Sequence, residues 1–235
     1  MKKIAATVLA LVLALAAVPA PGEEAGSALT VLKENFIVRE EYSRLRGTYI
    51  AIVRNDTDEP FFITGGSLAV LDAAGAEIVR KESVSYGTSR YLEPGETNVV
   101  SIQADIPEGA EAAGYAAAFT TGAEAYLNRD TVVGVAATDF EVREASYSTR
   151  YLMKATIAND GDEPMKGVAV TMVLTDAEGK PLFFDTKSMY LDELGPHSTI
   201  TLVEELSSYV VDYITQNNIE VGPVEAYGFI ELSRY

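Results

Sequence analysis

One stretch of this sequence is written twice. Phe36-Ile-Val-Arg-Glu40 returns as Phe140-Glu-Val-Arg-Glu144, and Asn55-Asp-Thr-Asp-Glu-Pro60 returns as Asn159-Asp-Gly-Asp-Glu-Pro164. Leu71-Asp-Ala-Ala-Gly75 returns as Thr175-Asp-Ala-Glu-Gly179, and Tyr86 as Tyr190. Every pair lies 104 positions apart, and 15 of the 51 positions from 36 to 86 are identical without a gap. After a two-residue slip, Leu92-Glu-Pro94 matches Leu194-Gly-Pro196. A fixed offset of this length means a duplicated unit of about 100 residues, an ordinary domain size. The chain of 235 residues is therefore expected to divide into a leader at 1–22, a first unit at 23–136 and a second at 137–235.

Each unit reads as short strands punctuated by turns. Thr48-Tyr-Ile-Ala-Ile-Val53 and Tyr151-Leu-Met-Lys-Ala-Thr-Ile157 are rich in β-branched and aromatic residues and run into polar Asn-Asp clusters, the pattern of a strand and its turn. Ser67-Leu-Ala-Val-Leu71 and Val168-Ala-Val-Thr-Met-Val-Leu174 both end in Asp-Ala-x-Gly, where glycine supplies the positive φ that a tight hairpin needs. Ile78-Val79 and Leu182-Phe-Phe184 return from those hairpins. Leu92-Glu-Pro-Gly-Glu96 is a turn before a strand at Thr97–Ile102. Tyr115–Phe119 and Tyr227–Leu232 close the units, and Val132-Val-Gly-Val135 is expected as a last strand of the first. Six or seven short strands per unit predict an all-β fold of two tandem β-sandwich domains. Leu206, Val210, Val211 and Ile214 fall at helical intervals and predict a short helix within Glu204–Ile214 of the second unit.

The first residues set the compartment. Met1-Lys-Lys3, an apolar run over Ile4–Val18 and the small residues of Pro19-Ala-Pro-Gly22 have the form of a secretory signal peptide. The run falls short of the roughly 20 apolar residues that cross a bilayer. The chain is thus expected to be secreted or extracytoplasmic, in the cell envelope, with no membrane span in its mature part. No cysteine is present, which excludes disulfide scaffolds, thiolate metal sites and lipid attachment at cysteine. The net charge is −17. Residues 1–22 hold two lysines and no acid, so the mature value is −17 − 2 = −19. Such a field opposes nucleic acid and anionic lipid, and favours solubility and cationic partners.

The order of strand, Asn-Asp turn, strand ending in Asp-x-x-Gly and Leu-x-Pro before a further strand resembles the FxLYD domain family. The residues that carry the resemblance are Leu68-Ala-Val-Leu-Asp72 and Met172-Val-Leu-Thr-Asp176, with Gly75, Gly179, Leu92, Pro94, Leu194 and Pro196. Neither copy has the family's phenylalanine or the tyrosine before its Asp. The resemblance covers roughly two-thirds of the mature chain. It implies bacterial, immunoglobulin-like secreted modules without catalysis, and supplies no site.

Few residues suggest chemistry. The sole histidine, His197, lies in the turn Leu194-Gly-Pro-His-Ser198 and reads as a solvated turn residue. No serine sits in a Gly-x-Ser-x-Gly elbow, and Gly65-Gly66 lacks the Lys-Ser/Thr of a phosphate loop. There is no tryptophan to serve as a sugar platform beside a carboxylate pair. An enzyme is not expected. The sharpest site hypothesis is calcium. Asp56, Asp58 and Glu59, repeated as Asp160, Asp162 and Glu163, place hard oxygens on one short turn, with Asp72 or Asp176 as candidate helpers. The same Asn and Asp side chains would equally hold the turn through their own backbone. Tyr86 and Tyr91 flank Gly87-Thr-Ser-Arg90 and are the candidate partner-binding pair, a loop being where function concentrates; packing within a strand is the alternative. The function expected is a secreted, non-catalytic interaction module for a protein or glycan, without an organic cofactor. The alternative is a structural envelope spacer, stiffened by calcium.

Overall fold

The computed structural model describes residues 29–87, 90–123, 131–144, 149–189 and 192–230. The expected leader and Tyr190 lie outside them. The first half of the chain forms β1 (Leu29–Glu41), β2 (Arg44–Asn55), β3 (Phe61–Leu71), β4 (Glu77–Glu82), β5 (Ser85–Tyr86), β6 (Tyr91–Leu92), β7 (Thr97–Asp105) and β8 (Gly114–Gly122). The second forms β9 (Thr131–Val133), β10 (Val135–Glu144), β11 (Thr149–Asn159), β12 (Met165–Lys166), β13 (Val168–Asp176), β14 (Pro181–Ser188), β15 (Glu193–Leu194) and β16 (Ser198–Glu205). Helix α1 (Ser208–Gln216) and β17 (Val221–Ile230) follow. Among the described residues the protein is all-β with one short helix, and all the strand pairs are antiparallel.

The halves repeat one another in their main sheets. β1-β2-β7 corresponds to β10-β11-β16, and β4-β3-β8 to β14-β13-β17. Even a register irregularity recurs: β1 slips between Val31 and Lys33, and β10 between Val135 and Ala137, again 104 positions on. The β3–β4 and β13–β14 turns are held alike. The Asp72 carboxylate accepts from the amides of Ala74 and Ala76, and the Asp176 carboxylate from those of Glu178 and Lys180. Gly75 and Gly179 take the left-handed conformation there, at φ +80° and +81°.

The main sheets stack face on face in four layers. Along β2, Tyr49, Ala51 and Val53 pack with Leu68 and Val70 of β3 in one cluster. Ile50 and Ile52, on the opposite face, belong to a second cluster together with Ile37 and Val99 of the same sheet. That second cluster continues through Val170, Met172 and Leu174 of β13 to Met153, Ala155 and Ile157 of β11. The sheet of β1, β2 and β7 is therefore covered on both faces, and so is the sheet of β13, β14 and β17. This is why Tyr49–Val53 and Val168–Leu174 are buried at every residue and read as nearly continuous apolar runs instead of alternating ones. The first half thus keeps one cluster between its own two sheets, and the other cluster runs across the join into the second half.

Two features lock the shared layer. Gly87 lies against β13, where its carbonyl accepts from Thr171 Oγ1 at 2.5 Å and from Thr186 Oγ1 at 2.9 Å. A Cβ at Gly87 would come within 2.6 Å of Thr171 Cγ2 and 3.2 Å of Val99 Cβ, so only glycine permits this approach. At another point of the contact, Lys33 pairs with Glu225, and Asn35 Nδ2 donates to the carbonyl of Pro181 at 3.0 Å. Helix α1 buries Val210 and Ile214 and brings Tyr209 to 4.8 Å, ring to ring, from Tyr42 in the β1–β2 turn.

Two element boundaries differ from expectation. The helix begins at Ser208, because Glu204 and Glu205 remain in β16, paired with Met153 and Leu152. Val132 and Val133 do not end the first half: they pair with Phe229 and Gly228 of β17, and Val135 opens β10. The free edge of β17 captured them, a long-range pairing that local pattern does not encode.

Candidate functional site

The repeated Asn-Asp turns were the residues most suggestive of a cation. Asn55 does structural service there. Its Nδ2 donates to the carbonyls of Glu59 (2.9 Å) and Leu92 (3.0 Å), and its Oδ1 accepts from the Thr57 amide (2.9 Å) and hydroxyl (2.7 Å). Asn159 repeats the arrangement on Glu163, Leu194, Gly195 and Gly161. Each asparagine pins the turn after β2 or β11 to the Pro-containing turn that follows it in space. The acids around them face water. Asp56 pairs with Arg54 at 2.5 Å, and the hydrogen bonds from Arg54 and Thr30 hold its carboxyl below the usual range. Asp162 Oδ1 lies 3.0 Å from His197 Nε2. Asp58, Glu59, Asp160 and Glu163 are exposed. Among the described residues no three His, Cys, Asp or Glu side chains gather as a metal site, and Asp72 and Asp176 are engaged in their own turns.

The aromatic loop is placed differently from a free binding patch. Tyr91 is buried and packs edge-on against Phe62 at 4.9 Å. Tyr86 is half-buried, with its hydroxyl 3.3 Å from the Ile63 carbonyl and the Arg90 guanidinium 5.1 Å from its ring centroid. Gly87 between them meets β13. A groove of about 470 Å³ runs beside this loop, between the turn at Pro94–Glu96 and the β9–β17 pair.

The strongest surface feature is one that the sequence reading did not single out. β8 pairs with β3 on one side, and no described strand lies on its other side. Its nine residues, Gly-Tyr-Ala-Ala-Ala-Phe-Thr-Thr-Gly, contain no charge and no proline. Other long edge strands are protected. β1, β4, β10, β14 and β16 all carry acids, and β14 also begins with Pro181; β5, β6 and β9 are only two or three residues long. Charge, proline and shortness are the usual devices that keep an edge from pairing with another chain, and β8 has none of them. In the second half the corresponding strand, β17, is covered by β9 over Gly228–Ile230 and carries Pro223 and Glu225 in the remainder. The signal was present in sequence as a strand without Lys, Arg, Asp or Glu in a chain that is 23% charged.

Beside β8 lies an aromatic cluster. Phe36 stacks on Tyr115 at 5.0 Å, and Tyr49 sits 5.4 Å from Tyr115 and 6.1 Å from Phe119. Tyr49 donates its hydroxyl to Glu34 Oε2 at 2.6 Å. Burial, the charge of Glu34 and its hydrogen bond together push the Tyr115 hydroxyl up to about 12, and Tyr49 is raised further by the same causes. A folded-state pKa above the unfolded value means that unfolded tyrosine loses its proton first. The stabilisation is thus complete below about pH 10 and disappears as pH rises through about 12. A tyrosinate absorbance titration at 295 nm is expected to show a late-ionising class that becomes normal on unfolding. Thirteen tyrosines all titrating near 10 in the folded chain would contradict the cluster.

No family model matches the chain, and no curated protein matches it. Similar solved structures include the secreted serine protease VesC from Vibrio cholerae, at 8% identity over 86% of this chain and 47% of that one, with a TM-score of 0.21. The chain spans about half the length of that protease. The tandem CBM22-1-CBM22-2 domain from Paenibacillus barcinonensis Xyn10C matches at 8% identity over 89% and 87% of the two chains, with a TM-score of 0.15. Procruciferin, an 11S globulin from Brassica napus, matches at 8% over 86% and 85%, with a TM-score of 0.16. With TM-scores this low, none of them assigns a fold family or a function.

Proposed function

We propose that the chain is an exported, non-catalytic interaction module of two tandem immunoglobulin-like β-sandwich units, as the FxLYD resemblance implies, which binds a protein by strand addition. The observation that carries this reading is the open, uncharged edge of β8. Strand addition takes its affinity from main-chain hydrogen bonds along such an edge, so this edge favours a protein over a glycan as partner. The spacer reading draws support from the core cluster that the two halves share.

The test compares the mature chain (residues 23–235) with its Ala118→Lys variant as bait for the source organism's envelope and medium, with and without calcium. Ala118 is exposed at the middle of β8, and a lysine there is an ordinary edge-protecting residue. A stoichiometric partner held by the parent chain and lost by the variant is expected. Identical capture by both would remove the β8 reading and place the partner on another surface, and capture by neither would leave the spacer. Capture that needs calcium would return the turns at Asp56 and Asp160 to the list of sites.

A further inference from the structure

We infer that the strand added to β8 is the β8 of a second copy of this chain, paired antiparallel about a two-fold axis at Ala118. The inference rests on the reading of β8 as the binding edge and names its occupant. Two copies of an acidic chain of net charge −17 repel one another, so they can meet only where the contact itself brings no like charges together. Self-pairing of β1, β4, β10, β14 or β16 would carry acids into the contact with their own copies. Self-pairing of β8 brings none. With Ala118 opposite Ala118, Tyr115 falls opposite Thr121, Ala117 opposite Phe119, and a glycine stands at each end of both strands.

The second half offers a short precedent on the corresponding strand. There β17 carries the antiparallel β9, with Val133 opposite Gly228 and Thr131 opposite Ile230. β9 is likewise uncharged. A copy's β8 extends along the whole strand what β9 does for the last three residues of β17, and joins two sheets into one across the axis.

The experiment is sedimentation velocity on the mature chain between about 1 and 200 µM, at about 50 and 500 mM salt, because the Debye length shrinks several-fold over that range. A monomer–dimer equilibrium is expected, and it strengthens with salt as the repulsion is screened. Ala118→Lys and Ala118→Asp each place like charges face to face and are expected to weaken association at least about tenfold. An equimolar mixture of the two variants sets Lys against Asp and is expected to restore the dimer. Circular dichroism unchanged from the parent shows that both variants are folded. A parent chain that stays monomeric throughout, or a dimer indifferent to both substitutions, would overturn the inference. A monomeric parent whose Ala118→Lys variant nonetheless loses its envelope partner would overturn the second copy alone and keep β8 as a binding edge. Unchanged behaviour in both assays would overturn both.

Discussion

Ile52→Ala is expected to cost about 3 kcal/mol and to loosen both halves of the protein at once. The side chain is fully buried, and it belongs to the cluster that runs from the first half's β2 and β7 through β13 to β11. Truncating a buried isoleucine removes its transfer energy and leaves a cavity, together about 2–5 kcal/mol. Because the cavity opens between the halves, its cost is not confined to the half that carries it. Urea unfolding is expected to stay a single transition with a lowered midpoint. Hydrogen exchange is expected to quicken in β13 as well as in β2. A variant that loses protection only within residues 29–123, or that unfolds in two steps, would show that each half stands alone. Thr156→Ala is the matched control. Thr156 occupies the position 104 residues on, partly exposed and bonded to Thr201 at 2.8 Å. Its loss is expected to stay within about 0.5 kcal/mol.

Asn55→Ala and Asn159→Ala are each expected to cost about 3 kcal/mol, more than any acid around them. Each buried amide satisfies at least two carbonyls and one backbone N–H. Removing it strands those groups without water, at about 1–3 kcal/mol for each one left unpaired and partly relieved by relaxation. The two turns lie in different halves with no shared partner, so the double variant is expected to sum to within about 0.5 kcal/mol. Asp58→Asn and Asp162→Asn, both at exposed positions, are expected to leave the melting temperature within a degree or two, with or without calcium. Calorimetry on the four variants decides the matter. A large calcium-dependent loss at Asp58 or Asp162, with little at the asparagines, would mean that the turn is a cation site that also happens to fold.

The strands and turns were legible because their causes are local. Asp-x-x-Gly, Asn-Asp and Pro-Gly specify turns by their own hydrogen bonds and φ angles, and β-branched runs specify the strands between them. The duplication told which strands correspond. The stacking of the halves was harder to read, yet a trace of it lay in the repeat. Ile37, Ile50, Ile52 and Val99, buried in the shared core, correspond to Glu141, Lys154, Thr156 and Thr201. Asking where one copy is greasier than the other would have located the face covered in only one of them. The β9–β17 pairing left no such trace, since three residues with an indifferent neighbourhood can join any free edge. The place of the aromatic loop was hard to read for a related reason. Tyr86 and Tyr91 look like a binding pair when the chain is read as separate units, but the loop between them inserts at the second half. The open edge of β8 was missed because it is marked by what its sequence lacks.

The join between the halves brings unlike faces together: the sheet of β1, β2 and β7 from one copy meets the sheet of β13, β14 and β17 from the other. A head-to-tail contact of this kind does not close on itself, and repeated it would add unit upon unit into a fibre. Residues at the two ends of the stack prevent that. Lys154, Thr156 and Thr201 occupy the places that Ile50, Ile52 and Val99 hold at the join, and Arg80, exposed, stands where Phe184 packs into the shared core. They act like the wetted terminal repeats of a solenoid. The number of layers is thereby counted out in the chain itself, and growth by stacking stops at one join.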